Sequence, residues 1–306
     1  MIWMEIYGDC RINMLLKQYK THFFNSLRNI QDEQEIESFF FILTEYLHNL
    51  KRVDLALNPN FELSKDDVEK WNAILAELQL EKPIQYITGE AWFFGLRFEV
   101  NENTLIPRPE TEELVDWILS SSITQHPTPL TILDIGTGSG CIPISLKANL
   151  PQANVSAIDV SEKALEVAKR NATSNKVEIN FIQTNILEVE DLSQLPSPIT
   201  DYPSPYNIIV SNPPYVRNLE KQEIKKNVLD YEPHLALFVE DTDALLFYRK
   251  IAQLALKNLS PNGLLFFEIN QYLGKETVEL LENFGFKNIE LKKDMYGNDR
   301  MIRCSV

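Results

Sequence analysis

The chain has 306 residues, 44% hydrophobic, 10% aromatic and 24% charged. These are ordinary globular proportions, which exclude disordered, collagen-like and low-complexity architectures and leave room for about two domains. Twenty-nine Lys and Arg against 44 Asp and Glu give a net charge of −15, a poor balance for binding duplex nucleic acid through its phosphates, so no direct DNA binding is expected. No run approaches the ~18 consecutive apolar residues of a membrane span. Residues 1–16, with Glu5 and Asp9, lack the basic-then-apolar pattern of a secretory signal. Cys10, Cys141 and Cys304 are too scattered for a disulfide framework, and His22, His48, His126 and His234 share no metal-ligand spacing. The expectation is a cytoplasmic, reduced, metal-free protein without a membrane partner.

Residues 1–13 are unlike the rest of the chain and read as an upstream extension, with Met14 as an alternative start. From Met14 to about Leu80 the apolar residues fall at helical spacing: Leu15, Leu16, Tyr19 and Phe23; Ile36, Phe39, Phe40, Leu43 and Leu47; Val68, Trp71, Ile74, Leu75 and Leu78. Ser64 with Asp67 three residues on reads as a helix N-cap with an acidic first turn. No glycine lies between Gly8 and Gly89. Residues 1–83 are therefore expected to form a small helical bundle. Residues 84–106 change period. Ile84, Tyr86 and Ile87, then Trp92, Phe93, Phe94, Leu96, Phe98 and Val100, with Gly89 and Gly95 as turn residues, predict a β-hairpin linker. Pro109 with Glu110, Glu112 and Glu113 opens a helix.

Residues 107–306 form the second domain. From Thr131 strands and helices alternate, with strands over 131–135, 155–160, 177–184, 206–211 and 264–269 and helices over 141–149, 162–173, 244–256 and 275–283. The 206–211 strand is entered by a proline-rich loop (Pro196, Pro198, Pro203, Pro205), and two closing strands span 289–293 and 300–306. The class is α/β, with a Rossmann-like parallel sheet covered by helices on both faces.

Three of the ten glycines sit within five residues, in Asp134-Ile135-Gly136-Thr137-Gly138-Ser139-Gly140. They follow a predicted strand and open a predicted helix, the geometry of a nucleotide loop whose bare backbone and helix N-terminus face the ligand. A tight strand–helix turn alone needs one or two glycines. Asp159 ends the next strand, 23 residues after Gly136, where a carboxylate can accept both ribose hydroxyls of an adenosine. No Lys or Arg lies in or beside the loop, so a phosphate-free zwitterionic nucleoside, S-adenosylmethionine, fits better than a pyrophosphate. The pattern resembles the class I methyltransferase family.

Asn212-Pro213-Pro214-Tyr215 ends the fourth sheet strand, where open α/β sheets place their chemistry. A proline-stopped strand explains one proline but not the flanking Asn and Tyr. An amide or aryl amine nitrogen is a poor nucleophile because its lone pair is delocalised. Two acceptors on its N–H bonds, the Asn212 side-chain oxygen and the Pro213 carbonyl, draw it towards tetrahedral geometry. The prolines fix φ and offer no competing N–H, and Tyr215 can pack against the planar amide. Catalysis is then positioning plus charge neutralisation, with no strong base required.

These segments occur together with Pro83-Ile84-Gln85-Tyr86-Ile87-Thr88-Gly89, Ile106-Pro107-Arg108-Pro109-Glu110-Thr111-Glu112, Tyr231-Glu232-Pro233 and Gly297-Asn298-Asp299-Arg300. From about residue 14 to the C-terminus the order resembles the release factor glutamine methyltransferase (PrmC/HemK) family. The resemblance implies N5-methylation of the glutamine in the Gly-Gly-Gln motif of class I peptide-chain release factors, with S-adenosylhomocysteine as product. It also implies an N-terminal helical domain that docks the factor. By motif match Gly136, Thr137, Gly138, Ser139, Gly140 and Asp159 hold the cofactor, with Asn212 bordering it. Asn212, Pro213, Pro214 and Tyr215 hold the target glutamine, and Asn212, Pro213 and Tyr215 carry the catalysis. Many class I methyltransferases place an acid on the adenine amine after the third strand. Here Asn185 stands there as an uncharged acceptor, and Ile186 offers an apolar face to the ring. Arg108 and Glu110 read either as catalytic charges or as capping and packing residues, and Trp92, Phe93 and Phe94 either as a partner grip or as hairpin packing.

Two other substrates share the tetrad, a ribosomal-protein glutamine and the adenine N6 of a nucleic acid. The acidic charge, the helical N-terminal block and the lack of a basic recognition region count against the second. A non-enzymatic nucleoside-binding module would not need an intact acceptor tetrad.

Overall fold

The computed structural model describes residues 14–125, 129–196 and 205–306. The upstream extension with Cys10, together with His126, Pro198 and Pro203, lies outside the described residues. The chain divides into two compact units between Thr88 and Gly89. Among the described residues, no helix is long and apolar enough to cross a membrane.

In the first unit a two-residue strand β1 (Met14–Leu15) runs into α1 (Leu16–Leu27), followed by α2 (Glu33–His48), α3 (Arg52–Leu57), β2 (Glu62–Leu63), α4 (Lys65–Gln79) and α5 (Ile84–Thr88). Trp71 is the centre of the bundle. It is fully buried, with the rings of Tyr19, Phe23 and Phe40 at 5.3, 5.8 and 5.3 Å. Its indole N–H donates to His48 Nε2 at 2.9 Å, and burial lowers the His48 pKa, favouring the neutral ring that can accept. Ser64 caps α4, in agreement with its sequence pattern. Its hydroxyl accepts from Asp67 N and the Asp67 carboxylate accepts from Ser64 N. The antiparallel β1–β2 pair has no signal in the sequence, since two residues are too few to show a period.

The hairpin expected over 84–106 is narrower than its sequence suggests. Residues 84–88 are helical: Tyr86 N and Ile87 N bond to Pro83 O, and Thr88 Oγ1 donates to Ile84 O. Ile84 and Ile87, three apart, face the bundle core. That burial decides against the strand propensity of Ile and Tyr. The hairpin proper is β3 (Glu90–Phe93) with β4 (Leu96–Glu99). Its two-residue turn puts Phe94 at φ 49° and Gly95 at φ 75°, the primed geometry that matches strand twist. Phe93 and Phe98 are buried against Leu114 and Ile118, whereas Trp92 is 69% exposed.

The rest of the second unit comprises α6 (Pro109–Leu119), β5 (Thr131–Ile135), α7 (Cys141–Asn149), β6 (Asn154–Asp159), α8 (Glu162–Ser174), β7 (Asn180–Gln183), β8 (Tyr206–Ser211), β9 (Val216–Arg217), α9 (Lys226–Tyr231), α10 (His234–Leu237), β10 (Phe238–Val239), α11 (Leu246–Asn258), β11 (Leu259–Glu268), α12 (Gly274–Phe284), β12 (Lys287–Lys293) and β13 (Asp299–Ser305). Seven strands make one sheet in the order β12-β13-β11-β8-β5-β6-β7. The five from β11 to β7 are parallel, and β13 is antiparallel to both its neighbours. Period-two alternation divides the core. Leu133, Ile135, Leu265, Phe267 and Ile302 face α11 and α12, while Ile132, Phe266 and Met301 face α6 and α7. The parallel strands run in one direction, so their C-terminal ends collect along one edge.

Asn171 on α8 ties the hairpin to that edge. Its Nδ2 donates to Glu99 O and Ser139 O at 2.9 Å, and its Oδ1 accepts from Glu99 N at 2.6 Å. Asn171→Ala leaves these groups short of partners and should lower the free energy of unfolding by about 2–4 kcal/mol. Denaturant titration measures this, and an unchanged midpoint contradicts it.

Candidate active site

A cavity of about 370 Å³ opens at the C-terminal ends of β5, β6 and β8. Gly136, Thr137, Gly138, Ser139, Asp159, Asn185, Ile186, Asn212, Pro213 and Pro214 all line it; Gly140 and Tyr215 do not.

The glycine loop is held by its own backbone. Gly136 N and Thr137 N both donate to Ile158 O, and Gly140 N to Thr137 O. Gly136 and Gly138 have φ of 79° and 55°, and a Cβ at either would meet nothing within 4 Å. Their bareness leaves space on the cavity side. Gly140 differs: a Cβ there would come 2.9 Å from Ile144 and 3.1 Å from Ala168, so this glycine serves helix packing. It is also the N-cap residue of α7, whose first turn has no side-chain cap.

Asp159 is already engaged. Oδ2 accepts from Gly138 N at 2.8 Å and Oδ1 from Ser161 N at 2.9 Å. Burial raises its pKa, opposed by these backbone bonds. Each oxygen keeps a second lone pair for a ligand hydroxyl. Asn185 caps a 3₁₀ turn: Oδ1 accepts from Leu187 N, and Nδ2 donates to Glu188. Ile186 is 8% exposed beside it. Asp134, two residues before Gly136, is fully buried, and neither of its oxygens has a partner among the described residues. Burial pushes its carboxyl up to about 7; the Thr137 hydroxyl opposes the rise, and the charge of Asp159 adds to it.

At the tetrad, Asn212 Nδ2 donates to Thr111 Oγ1 at 3.3 Å. The Tyr215 hydroxyl points into the protein and donates to Glu268 Oε1 at 3.0 Å, and the Thr111 hydroxyl donates to Glu268 Oε2 at 2.6 Å. Asn270 Nδ2 donates to Tyr215 O. Burial raises the Glu268 pKa, while the Thr111 hydroxyl, the Arg300 charge and the Tyr215 hydroxyl pull it back towards ionisation. Arg108 forms an ion pair with the buried Glu232, which also accepts from Ile106 N. Arg108 is the only cation on the lining among the described residues, and this pairing restrains it.

Thr111, Glu232 and Glu268 join the site without having been singled out for it by sequence. Glu268 carries a usable signal, an acid closing the apolar run Leu264-Leu265-Phe266-Phe267. Thr111 occupies the core-facing stripe of α6 with Leu114, Val115 and Ile118, a spacing that conceals its chemistry.

Residues 21–89 match the model of the PrmC N-terminal domain, and residues 117–233 that of the methyltransferase small domain. A release factor glutamine methyltransferase of Flavobacterium psychrophilum is 62% identical over 293 residues, 95% of this chain and 99% of the relative. One of Bacteroides thetaiotaomicron is 40% identical over 280 residues, 92% and 96% of the two chains. Among solved structures, the hMettl16 catalytic domain in complex with MAT2A 3'UTR hairpin 6 has a TM-score of 0.53 at 20% identity, covering 69% of this chain and 76% of that one. This is a likeness of fold: the sheet is that of a class I methyltransferase.

The buried Asp134 makes a pH prediction. A carboxyl raised from 3.8 to about 7 leaves the folded protein holding a proton that the unfolded chain has released. Stability contributed by this site is therefore greatest below about pH 4 and declines as pH rises to about 7. Relative to Asp134→Asn, the wild-type free energy of unfolding should fall by up to about 4 kcal/mol between pH 4 and 8. Parallel pH profiles for the two proteins contradict this.

Proposed function

The chain belongs to the release factor glutamine methyltransferase family, and from that membership we propose that it transfers a methyl group from S-adenosylmethionine to the side-chain N5 of the glutamine in the Gly-Gly-Gln motif of class I peptide-chain release factors. One observation supports this above the others. The glycine loop, Asp159 and Asn212-Pro213-Pro214 line a single cavity, so a donor site and an amide-acceptor site adjoin.

The donor set fits a cationic, phosphate-free nucleoside. Gly136 and Gly138 leave room for it, Asp159 has lone pairs for ribose hydroxyls, and Ile186 gives an apolar wall. The lining has no unpaired cation for a phosphate among the described residues. When bound, the cofactor supplies an electrophilic methyl on a sulfonium, and S-adenosylhomocysteine remains after transfer. Asn212 Oδ1 and Pro213 O accept the two amide N–H bonds and hold the nitrogen lone pair towards that methyl. Pro213 and Pro214 stiffen the loop, so these acceptors need little reorganisation. The amide proton becomes acidic only as the N–C bond forms, so it is lost late and no buried base is required.

The first unit serves to dock the release factor, and the reaction belongs to the cytoplasm, where that substrate is found. A nucleic-acid adenine is the weaker reading. The fold likeness to an RNA-bound methyltransferase is offset by a net charge of −15.

Asn212→Ala should leave cofactor affinity within about threefold and cut turnover by ~10²–10³, the loss typical of one preorganised transition-state partner. Single-turnover rates at saturating cofactor and release factor decide. A variant as fast as wild type contradicts the proposed role of the tetrad.

A further inference from the structure

We propose that Thr111 is a positioning residue for methyl transfer, relaying the acceptor-only character of Glu268 to Asn212 and so fixing which end of the Asn212 amide faces the target nitrogen. This role rests on the cavity being the methyl-transfer site.

The problem it solves is one of symmetry. The two ends of an asparagine side chain are nearly the same size, but one donates and the other accepts. With Oδ1 towards the target, Asn212 accepts from the substrate amide. Flipped, it presents Nδ2 hydrogens to the substrate N–H and repels it. Nothing in the side-chain shape selects between the two.

The selection is made behind the site. The Thr111 hydroxyl has one proton. Glu268 accepts at both oxygens, at Oε2 from Thr111 Oγ1 at 2.6 Å and at Oε1 from the Tyr215 hydroxyl at 3.0 Å, so the Thr111 proton is committed there. The Thr111 oxygen then offers only lone pairs to Asn212, whose Nδ2 lies 3.3 Å away. A flipped amide would set Oδ1 against Oγ1, lone pair against lone pair. No donor from the described residues reaches Oδ1 in the observed orientation, which leaves it free for substrate. Glu268 is held in turn by the Tyr215 hydroxyl at Oε1, and Thr111 and Glu268 are 3% and 1% exposed. Networks of this kind have a fixed polarity from one end to the other.

The test compares Thr111→Val, which keeps the shape and loses the hydroxyl, with Thr111→Ser, which keeps the hydroxyl. Each is made in the full chain, alone and with Asn212→Ala. For Thr111→Val kcat should fall about tenfold, with KM for the release factor and cofactor affinity within about twofold. Thr111→Ser should recover to within about threefold of wild type. On the Asn212→Ala background the valine substitution should cost less than about twofold, because there is no amide left to orient. If Thr111→Val does not fold, Thr111→Ala replaces it and is read in the same way. Wild-type kcat in Thr111→Val, with Asn212→Ala still slow, overturns the relay and leaves the site reading standing. A full tenfold loss on the Asn212→Ala background overturns the relay too, because Thr111 then acts elsewhere. Wild-type kcat in Asn212→Ala overturns the site reading and the relay with it.

Discussion

The Glu268 carboxylate is buried at the C-terminal end of β11, and the chain is arranged to supply it with donors. Thr111 comes from the first turn of α6 and Tyr215 from the loop after β8, and the Arg300 charge from β13 acts on it as well. Removing a carboxylate from water is costly unless each oxygen finds a partner. These elements are far apart in sequence, and their convergence on one acid fixes the mutual placement of helix, tetrad loop and closing strand. Arg300 is itself held by Asp294 and bonded to Ile269 O. The Gly297-Asn298-Asp299-Arg300 segment thus places a positive charge near this buried acid without lining the cavity.

A second constraint is visible at the glycine loop. The residues that the sequence marks as ligand contacts also carry the local backbone. Asp159 bonds Gly138 N and Ser161 N, and Asn185 caps the turn that holds Ile186. Gly136 and Gly138 leave space on the cavity side, whereas Gly140 is required where α7 meets α8. One short motif thus combines two physical demands, an open approach for a ligand and close helix packing.

The sheet is legible because its strands are short apolar runs bounded by glycine or proline. The segments at Thr131–Ile135 and Tyr206–Ser211 fall where the sequence predicts, as does the Cys141–Asn149 helix. Other features are less legible. Ile84–Thr88 carries residues with strand propensity, and burial against the bundle makes it helical. The short elements between Val216 and Asp243 have no period long enough to read, and tertiary bonds such as Asn218 Nδ2 to Val239 O organise them. Tyr215 reads in the sequence as a platform for the substrate amide, but its hydroxyl turns inward to Glu268 and it does not line the cavity. A motif identifies which residues gather at a site; the direction of each side chain depends on partners distant in the chain.

On the proposed reading of the site, an amide nitrogen, and no other group, receives the methyl at Asn212 and Pro213. The most direct test is to incubate the protein with S-adenosylmethionine and an intact class I release factor, then locate the added mass by fragmentation. The expected result is a single methyl on the side-chain amide of the Gly-Gly-Gln glutamine, and none when that glutamine is replaced by alanine. A methyl on another residue, or on a nucleic acid offered in competition while the factor stays unmodified, would contradict it.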